Sequence, residues 1–448
     1  MRNMGLIKCL SETKKADSLS QDQLKALQIK RFNDLVSYVK TNSPYFNELY
    51  KDIPENSPIE SYPTTNKQVM MANFDSWMTD RNITLERVKE FMSNKDNIGR
   101  LMDKKYLVYT TSGSTGNPCI VLYDKTAFNV SSAIGVLRSF ARKDDLKHFM
   151  KHGGRTMALY ADNGFYLGCG AIKYNLRRMP WKKKKMATCD VRKPTSEIVE
   201  ELNNFQPSML GSYPTALELI AKEQETGSLN IHPSIIMTGG ENLTDDIRNH
   251  LSKTFDCYVQ TNYSCTEGGT MACECTKHNF HINTDWVILE AVDEDNKPVP
   301  FGTRGAKLLL TNLANKSCPF IRFEITDRVT IFNDTCECGK EGLYLTLEGR
   351  TDDILKFSND VCIPPLSLYA ILKEVEGINR FQLIQHENDN LELRISCYDK
   401  ADCFTRASKE VLDFLKENGV NATMFLSNKE PEVSPTSGKF KHIIGLKK

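Results

Sequence analysis

Tyr109-Thr110-Thr111-Ser112-Gly113-Ser114-Thr115-Gly116-Asn117-Pro118 is the stretch on which the fold turns. It continues the apolar run 107–110, so it reads as a strand entering a loop of small hydroxyl residues interleaved with glycine. Such a loop leaves backbone N–H groups and side-chain hydroxyls open to surround phosphate oxygens without steric obstruction. The Gly-Lys-Ser/Thr ending of a Walker A loop is absent, which excludes that class of nucleotide site.

Outward from the loop, over about residues 100–330, strand-like runs at 156–160, 234–237 and 258–261 alternate with helical stretches at 196–205 and 214–225. This alternation predicts a layered α/β domain. Toward the N-terminus, Leu24, Leu27, Phe32, Leu35, Val36 and Val39 recur at helical spacing and predict a packing helix over 20–42. Past about residue 280 the helices thin out, and 281–292, 307–311, 321–332 and 342–347 read as strands of an antiparallel β subdomain, about 281–350. Beyond Gly349-Arg350-Thr351-Asp352-Asp353 the pattern changes again. A helix at 366–376 precedes a hairpin of 381–386 and 391–397, a long helix at 401–417 and a strand at 423–426. The fold class is therefore α/β: a large layered N-terminal domain, 1–350, and a small α+β C-terminal domain, 351–448.

Charge points to small-molecule chemistry. Among 448 residues, 58 Lys+Arg stand against 57 Asp+Glu, a net charge of +1. That balance gives no electrostatic reason to expect a nucleic-acid or membrane partner. The lysine run 182–185 reads as a solvated loop. No apolar stretch suits a signal peptide or a membrane span, so a cytoplasmic location is expected.

In that setting the 14 cysteines read as reduced thiols or metal ligands. Two Cys-x-Cys pairs stand out, Cys273-Glu274-Cys275 and Cys336-Glu337-Cys338, the first followed by His278 and His281. Soft ligands from two such segments predict a tetrahedral Cys₃His zinc site, with the choice between Cys273 and Cys275 and between the two histidines left open.

Five blocks in one order resemble the adenylate-forming superfamily of acyl-CoA synthetases, peptide-synthetase adenylation domains and luciferases. Within it the resemblance is to the phenylacetate-CoA ligase and coenzyme F390 synthetase-like branch. The blocks are residues 110–118, Thr238-Gly239-Gly240-Glu241, Tyr263-Ser264-Cys265-Thr266-Glu267, Thr326-Asp327 with the later 349–353 stretch, and Ser437-Gly438-Lys439. The resemblance implies ATP and AMP as ligands. Thr111, Ser112, Gly113, Ser114, Thr115 and Gly116 would hold phosphates, Gly239, Gly240 and Glu241 adenine, and Tyr263 would line the pocket. Thr266 would meet the α-phosphate and Glu267 a Mg²⁺ ion, while Asp327 and Arg350 would meet the ribose. Asp352 would be the hinge of a mobile C-terminal domain, and Lys439 the catalytic lysine. The same branch favours Cys275, His281, Cys336 and Cys338 as the zinc ligands.

The implied reaction makes an acyl-adenylate from a carboxylic acid and Mg-ATP, then a thioester with CoA. Transfer to an amine or hydroxyl, or a non-catalytic nucleotide-binding role, are the alternatives. Residues 160–170, Gly211-Ser212-Tyr213-Pro214 and the Gly239 region are the expected acid pocket. Their aromatic content favours an aryl acid, while Asp162 admits a cationic one. Monomer and homodimer are both open.

Overall fold

The strand before the phosphate loop is the middle of a small antiparallel sheet, β1 (Leu101–Met102), β2 (Tyr106–Thr110) and β3 (Ile120–Tyr123). All residues of β2 and β3 are buried, which explains their unbroken apolar character. This computed structural model describes residues 4–111, 118–350, 355–359, 361–363, 365–387, 389–435 and 438–446, excluding the side chains of 348–350 and 366.

Five parallel strands follow: β4 (Thr156–Tyr160), β5 (Met186–Asp190), β6 (Met209–Ser212), β7 (Ile235–Thr238) and β8 (Tyr258–Cys265). Helices Thr195–Phe205, Pro214–Glu225 and Asp245–Phe255 contribute Leu202, Leu217 and Leu251 to a core that also holds Leu159, Leu210 and Ile236. β8 then turns antiparallel into β9 (Gly269–Glu274) and β10 (Phe280–Ile282). A separate antiparallel sheet comprises β11 (Val287–Val292), β12 (Lys307–Asn312) and β13 (Phe323–Ile325). Next, β14 (Asp327–Phe332) and β15 (Tyr344–Arg350) rejoin the large sheet, whose nine strands run β14-β15-β10-β9-β8-β7-β6-β4-β5.

Two expected strands are each split. The 281–292 run breaks because Trp286 and Val287 donate their backbone N–H groups to the Asn283 carbonyl, closing a turn. Arg138 fixes that turn through Asn283 at 3.0 Å and Asp285 at 2.7 Å. The 321–332 run divides at Thr326 into β13 and β14.

The C-terminal region holds β16 (Leu355–Lys356) paired with β17 (Cys362–Ile363). A four-stranded sheet of β18 (Ile378–Gln385), β19 (Asn390–Cys397), β20 (Thr423–Leu426) and β21 (Ile443–Ile444) runs β20-β19-β18-β21. The helix Lys400–Glu417 is capped by the Asp399 carboxylate and buries Ala407, Val411 and Leu415 with Leu383, Leu391 and Leu393. The chain divides into two units: Met1–Ile325 with Val329–Thr346, and Thr326–Arg328 with Leu347–Lys448.

In the first unit, the helix expected at 20–42 spans Gln21–Asn42 and starts at a Ser20/Gln23 capping box. Shorter helices follow it and bury Phe46, Tyr50, Phe74 and Trp77. Among the described residues no helix is long and apolar enough to cross a membrane.

Candidate functional site

From β4 the chain goes to β5 on one side and then to β6 on the other. In an open parallel sheet the crevice at such a reversal, beyond the carboxyl ends of the strands, is where ligands bind. Tyr160 ends β4, and Tyr213 follows the end of β6. Their rings meet edge to face, centroids 4.8 Å apart at 81°. The Tyr160 hydroxyl donates to the Ser212 carbonyl at 3.3 Å. The phenol ring lies on backbone without side chains: a Cβ at Gly211 would be 3.5 Å from it and one at Gly168 3.6 Å. Asp162, expected to admit a cationic substrate, is already ion-paired with Lys173 and accepts from Thr188 Oγ1 at 2.9 Å.

One strand further, Gly239 follows β7 and donates its N–H to the Ser212 carbonyl at 3.2 Å. Gly240 has φ +80°, which favours glycine. The Glu241 carboxylate accepts from the Thr215 N–H and hydroxyl at 3.2 and 2.8 Å. It therefore satisfies the amino end of the helix Pro214–Glu225 and fixes the glycine turn.

At the end of β8 lies the Thr266-Glu267 turn. Tyr263 is buried, and its ring stands 6.4 Å from that of Phe280. The Tyr123 hydroxyl donates to the Thr266 carbonyl at 3.0 Å, which ties β3 of the loop-bearing hairpin to this turn. Glu267 is 8% exposed, and its carbonyl accepts from Asn312 at 2.8 Å. Thr111 closes the base of the loop: its hydroxyl accepts from the Cys119 N–H at 2.8 Å and its own N–H donates to the Cys119 carbonyl at 3.0 Å. Ser112, Gly113, Ser114, Thr115, Gly116 and the hinge candidate Asp352 lie outside the described residues, as does the side chain of Arg350.

The cysteine pairs converge. Ligand atoms of Cys275, His281, Cys336 and Cys338 all lie within 4.8 Å of one another. The Cys275 and Cys336 sulfurs are 3.9 Å apart, and Cys338 Sγ is 3.3 Å from His281 Nε2. These spacings are of the order separating ligands around a tetrahedral zinc with bonds of about 2.0–2.3 Å. Two knuckles make the arrangement. The Lys277 N–H faces Cys275 Sγ at 3.4 Å, and the Gly339 N–H returns to the Cys336 carbonyl at 2.8 Å.

Burial, with Lys340 second, lowers His281 to about 4, so its imidazole is neutral near pH 7 as a ligand must be. Burial opposes ionisation of Cys336, but the Cys338 N–H and the Asn279 amide prevail and hold it below the ordinary thiol value. The alternates point elsewhere: Cys273 packs with Val130 and Trp286, and His278 turns to Glu274 at 3.2 Å.

In the second unit, Lys439 sits on a loop closed on itself. Gly438, at φ +66°, donates its N–H to the Ser434 carbonyl, and Ser434 donates to the Lys439 carbonyl, both at 2.8 Å. Sequence reading missed the residue that anchors this loop. Gln382, 3% exposed, donates to the carbonyls of Glu432 at 3.2 Å and Lys441 at 3.0 Å. Arg394 donates to Gln382 at 3.4 Å and to the Glu432 carboxylate at 2.6 Å. A lone glutamine inside a strand carries no motif by which it could have been found. Asp327 opens β14.

The open parallel sheet with its reversal of strand order, followed by a separate small α+β unit, gives this chain the fold of solved acyl-CoA ligases. The crystal structure of 2-hydroxyisobutyryl-CoA ligase in the postadenylation state, in complex with 2-HIB-AMP, matches with a TM-score of 0.68 over 96% of this chain and 90% of that chain, at 17% identity. In sequence, the chain is 22% identical to phenylacetate-coenzyme A ligase of Thermus thermophilus, covering 96% of this chain and 98% of the relative. It is 23% identical to Protein CapK of Staphylococcus aureus, covering 84% and 79%. No family model matches.

Proposed function

We propose that this protein is an ATP-dependent, AMP-forming acid ligase that makes an acyl-adenylate and then an acyl-CoA thioester. The observation that carries the reading is the Tyr123–Thr266 hydrogen bond, which fastens the loop-bearing hairpin to the Thr266-Glu267 turn at the strand ends. The strand that follows the loop and the turn that carries Glu267 thereby belong to one corner of the fold.

In this reading residues 111–116 and Thr266 bind phosphate oxygens, and Glu267 supplies the hard oxygen ligand that Mg²⁺ prefers. Magnesium, when bound, offsets phosphate charge. Gly239 and Gly240 offer adenine a flat backbone surface that Glu241 holds in shape through Thr215, with Tyr263 alongside. Asp327 and Arg350 serve the ribose hydroxyls. Lys439 stabilises the charge that develops as the carboxylate attacks the α-phosphate and pyrophosphate leaves; its ammonium is a compact point charge suited to that task. Asp352 is the hinge on which residues 351–448 move against 1–350 between half-reactions.

Cys275, His281, Cys336 and Cys338 hold a structural zinc, four protein ligands leaving no open position. The Tyr160–Tyr213 pair, and an Asp162 already neutralised by Lys173, favour an aryl acid that carries no cationic group. Transfer of the acyl or adenylyl group to an amine, a hydroxyl or another non-CoA acceptor is the second reading.

The test is ATP–pyrophosphate exchange over aryl, fatty and amino acids, followed by CoA, amines and hydroxylamine as acceptors. Exchange with an aryl acid and AMP-forming thioester synthesis are expected. No exchange with any acid class would leave a non-catalytic nucleotide-binding protein.

A further inference from the structure

The net charge of +1 conceals a strongly segregated surface. Arg177, Arg178 and Lys182 to Lys185 place six cations and no acid within nine residues. They occupy the end of the helix Leu167–Arg178 and the 3₁₀ turn Pro180–Lys184. Two of these cations are engaged by backbone carbonyls: Arg177 donates to Asp96 at 3.0 Å, and Lys185 to Gly153. Lys182, Lys183 and Lys184 have no acidic side chain within salt-bridge distance among the described residues.

Beside them opens a groove of about 440 Å³, with Lys95, Lys173, Arg177 and Lys183 on its walls, Leu176 among them and Asp96 as its one acid. Lys173 is paired with Asp162 and Arg177 is held by the Asp96 and Ile98 carbonyls, which leaves Lys95 and Lys183 as the groove cations not engaged by a described partner.

Trp181 lies in the middle of this basic turn and is 73% exposed, whereas the other tryptophans, Trp77 and Trp286, are buried at 0% and 3%. On the neighbouring helix Lys143–Lys151, tied to the turn through the Lys185–Gly153 contact, Met150 is 65% exposed. An indole projecting from a ring of lysines is costly to leave in water. It matches the layer between lipid headgroups and acyl chains, where tryptophan concentrates and lysines meet phosphate.

We propose that this face docks on an anionic phospholipid surface, with Trp181 in the interfacial layer, Lys182 to Lys184 over headgroup phosphates and the groove taking one phosphate between Lys95 and Lys183. The charge complementarity selects an anionic bilayer over a zwitterionic one. The exposed indole and thioether favour lipid over nucleic acid, which offers phosphate but no apolar layer at the same depth.

The test is sedimentation of the full chain with phosphatidylglycerol–phosphatidylcholine vesicles and with phosphatidylcholine vesicles alone. Trp emission is read in parallel. Binding to the mixed vesicles, weakened by added salt, with a blue shift absent from Trp181→Ser, is expected. Replacing Lys182, Lys183 and Lys184 together by Gln should lower the partition coefficient about 100-fold, at roughly one lysine contribution each. Unchanged thermal unfolding of these exposed-site variants separates the effect from misfolding. The proposal is overturned by failure to bind the mixed vesicles, by equal binding to pure phosphatidylcholine, or by binding that the triple variant retains. Release by millimolar inorganic phosphate at constant ionic strength would instead identify a soluble phosphate ligand, and preferential binding of duplex RNA a nucleic acid; either overturns it.

Discussion

Two turn-rich regions carry reactive side chains, and they are held in opposite ways. At Cys275, His281, Cys336 and Cys338 the backbone knuckles aim four soft donors at a common centre. At residues 432–435 and 438–441 the contacts among the described residues come from the chain itself. Gln382 spans the loop ends, Arg394 braces Gln382 and Glu432, and Glu392 braces Arg394 at 2.7 Å. In the proposed reading a zinc ion would hold the first region together; the described ends of the second are held by buried polar contacts. Damage to the one should therefore appear as metal-dependent stability, and damage to the other as a catalytic defect.

The largest effect expected is on the second region. Lys439→Ala should lower ATP–pyrophosphate exchange by about 10²–10³-fold, the scale of losing one preorganised electrostatic contact, while thioester formation from pre-made adenylate persists. Equal loss in both half-reactions would remove Lys439 from its role. For the first region, chelation or Cys336→Ser should lower the unfolding temperature by roughly 5–10 °C, with zinc content falling in step. Metal analysis of the purified protein showing no zinc would break the comparison at its root.

A sharper test is Gln382→Leu, which leaves two loop carbonyls and Arg394 without their partner at a cost of about 1–3 kcal/mol. It should slow adenylation about tenfold and spare the thioester half-reaction, as Lys439→Ala does. Loss of stability with both half-reactions equally impaired would make Gln382 merely structural.

The smallest effect concerns acid. Burial works against the Glu392 charge, but Arg394, Ser427 and His386 outweigh it and lower its carboxyl from 4.5 to about 2. A depressed folded-state value means this stabilisation is complete above about pH 4.5 and is lost as pH falls toward 2. Glu392→Gln should flatten the pH dependence of unfolding in that window and leave it unchanged near neutrality.

Much of the architecture was legible because apolar runs and periodicity are local. The strand Thr156–Tyr160, the helix Pro214–Glu225 and the strand Thr423–Leu426 have the bounds that the sequence pattern predicts. The break between β10 and β11 was not, because Arg138, about 145 residues away, fixes that turn. The short helices burying Phe46, Phe74 and Trp77 are too brief for a period to emerge. Two-residue β21 gains its place only by pairing with β18.

By itself the sequence determined the order of strands, helices and chemistry-bearing blocks, since each rests on residues adjacent in the chain. Tertiary structure decided which of those residues meet. It chose Cys275 and His281 over Cys273 and His278 by where β9 ends and how β10 pairs, and it neutralised Asp162 with Lys173. It set Tyr160 against Tyr213 at the reversal of strand order, and it brought Lys95 to the groove beside Lys183 while leaving Trp181 exposed. Composition and local spacing carry no record of partners brought together from distant positions, and those partners set the geometry of each site.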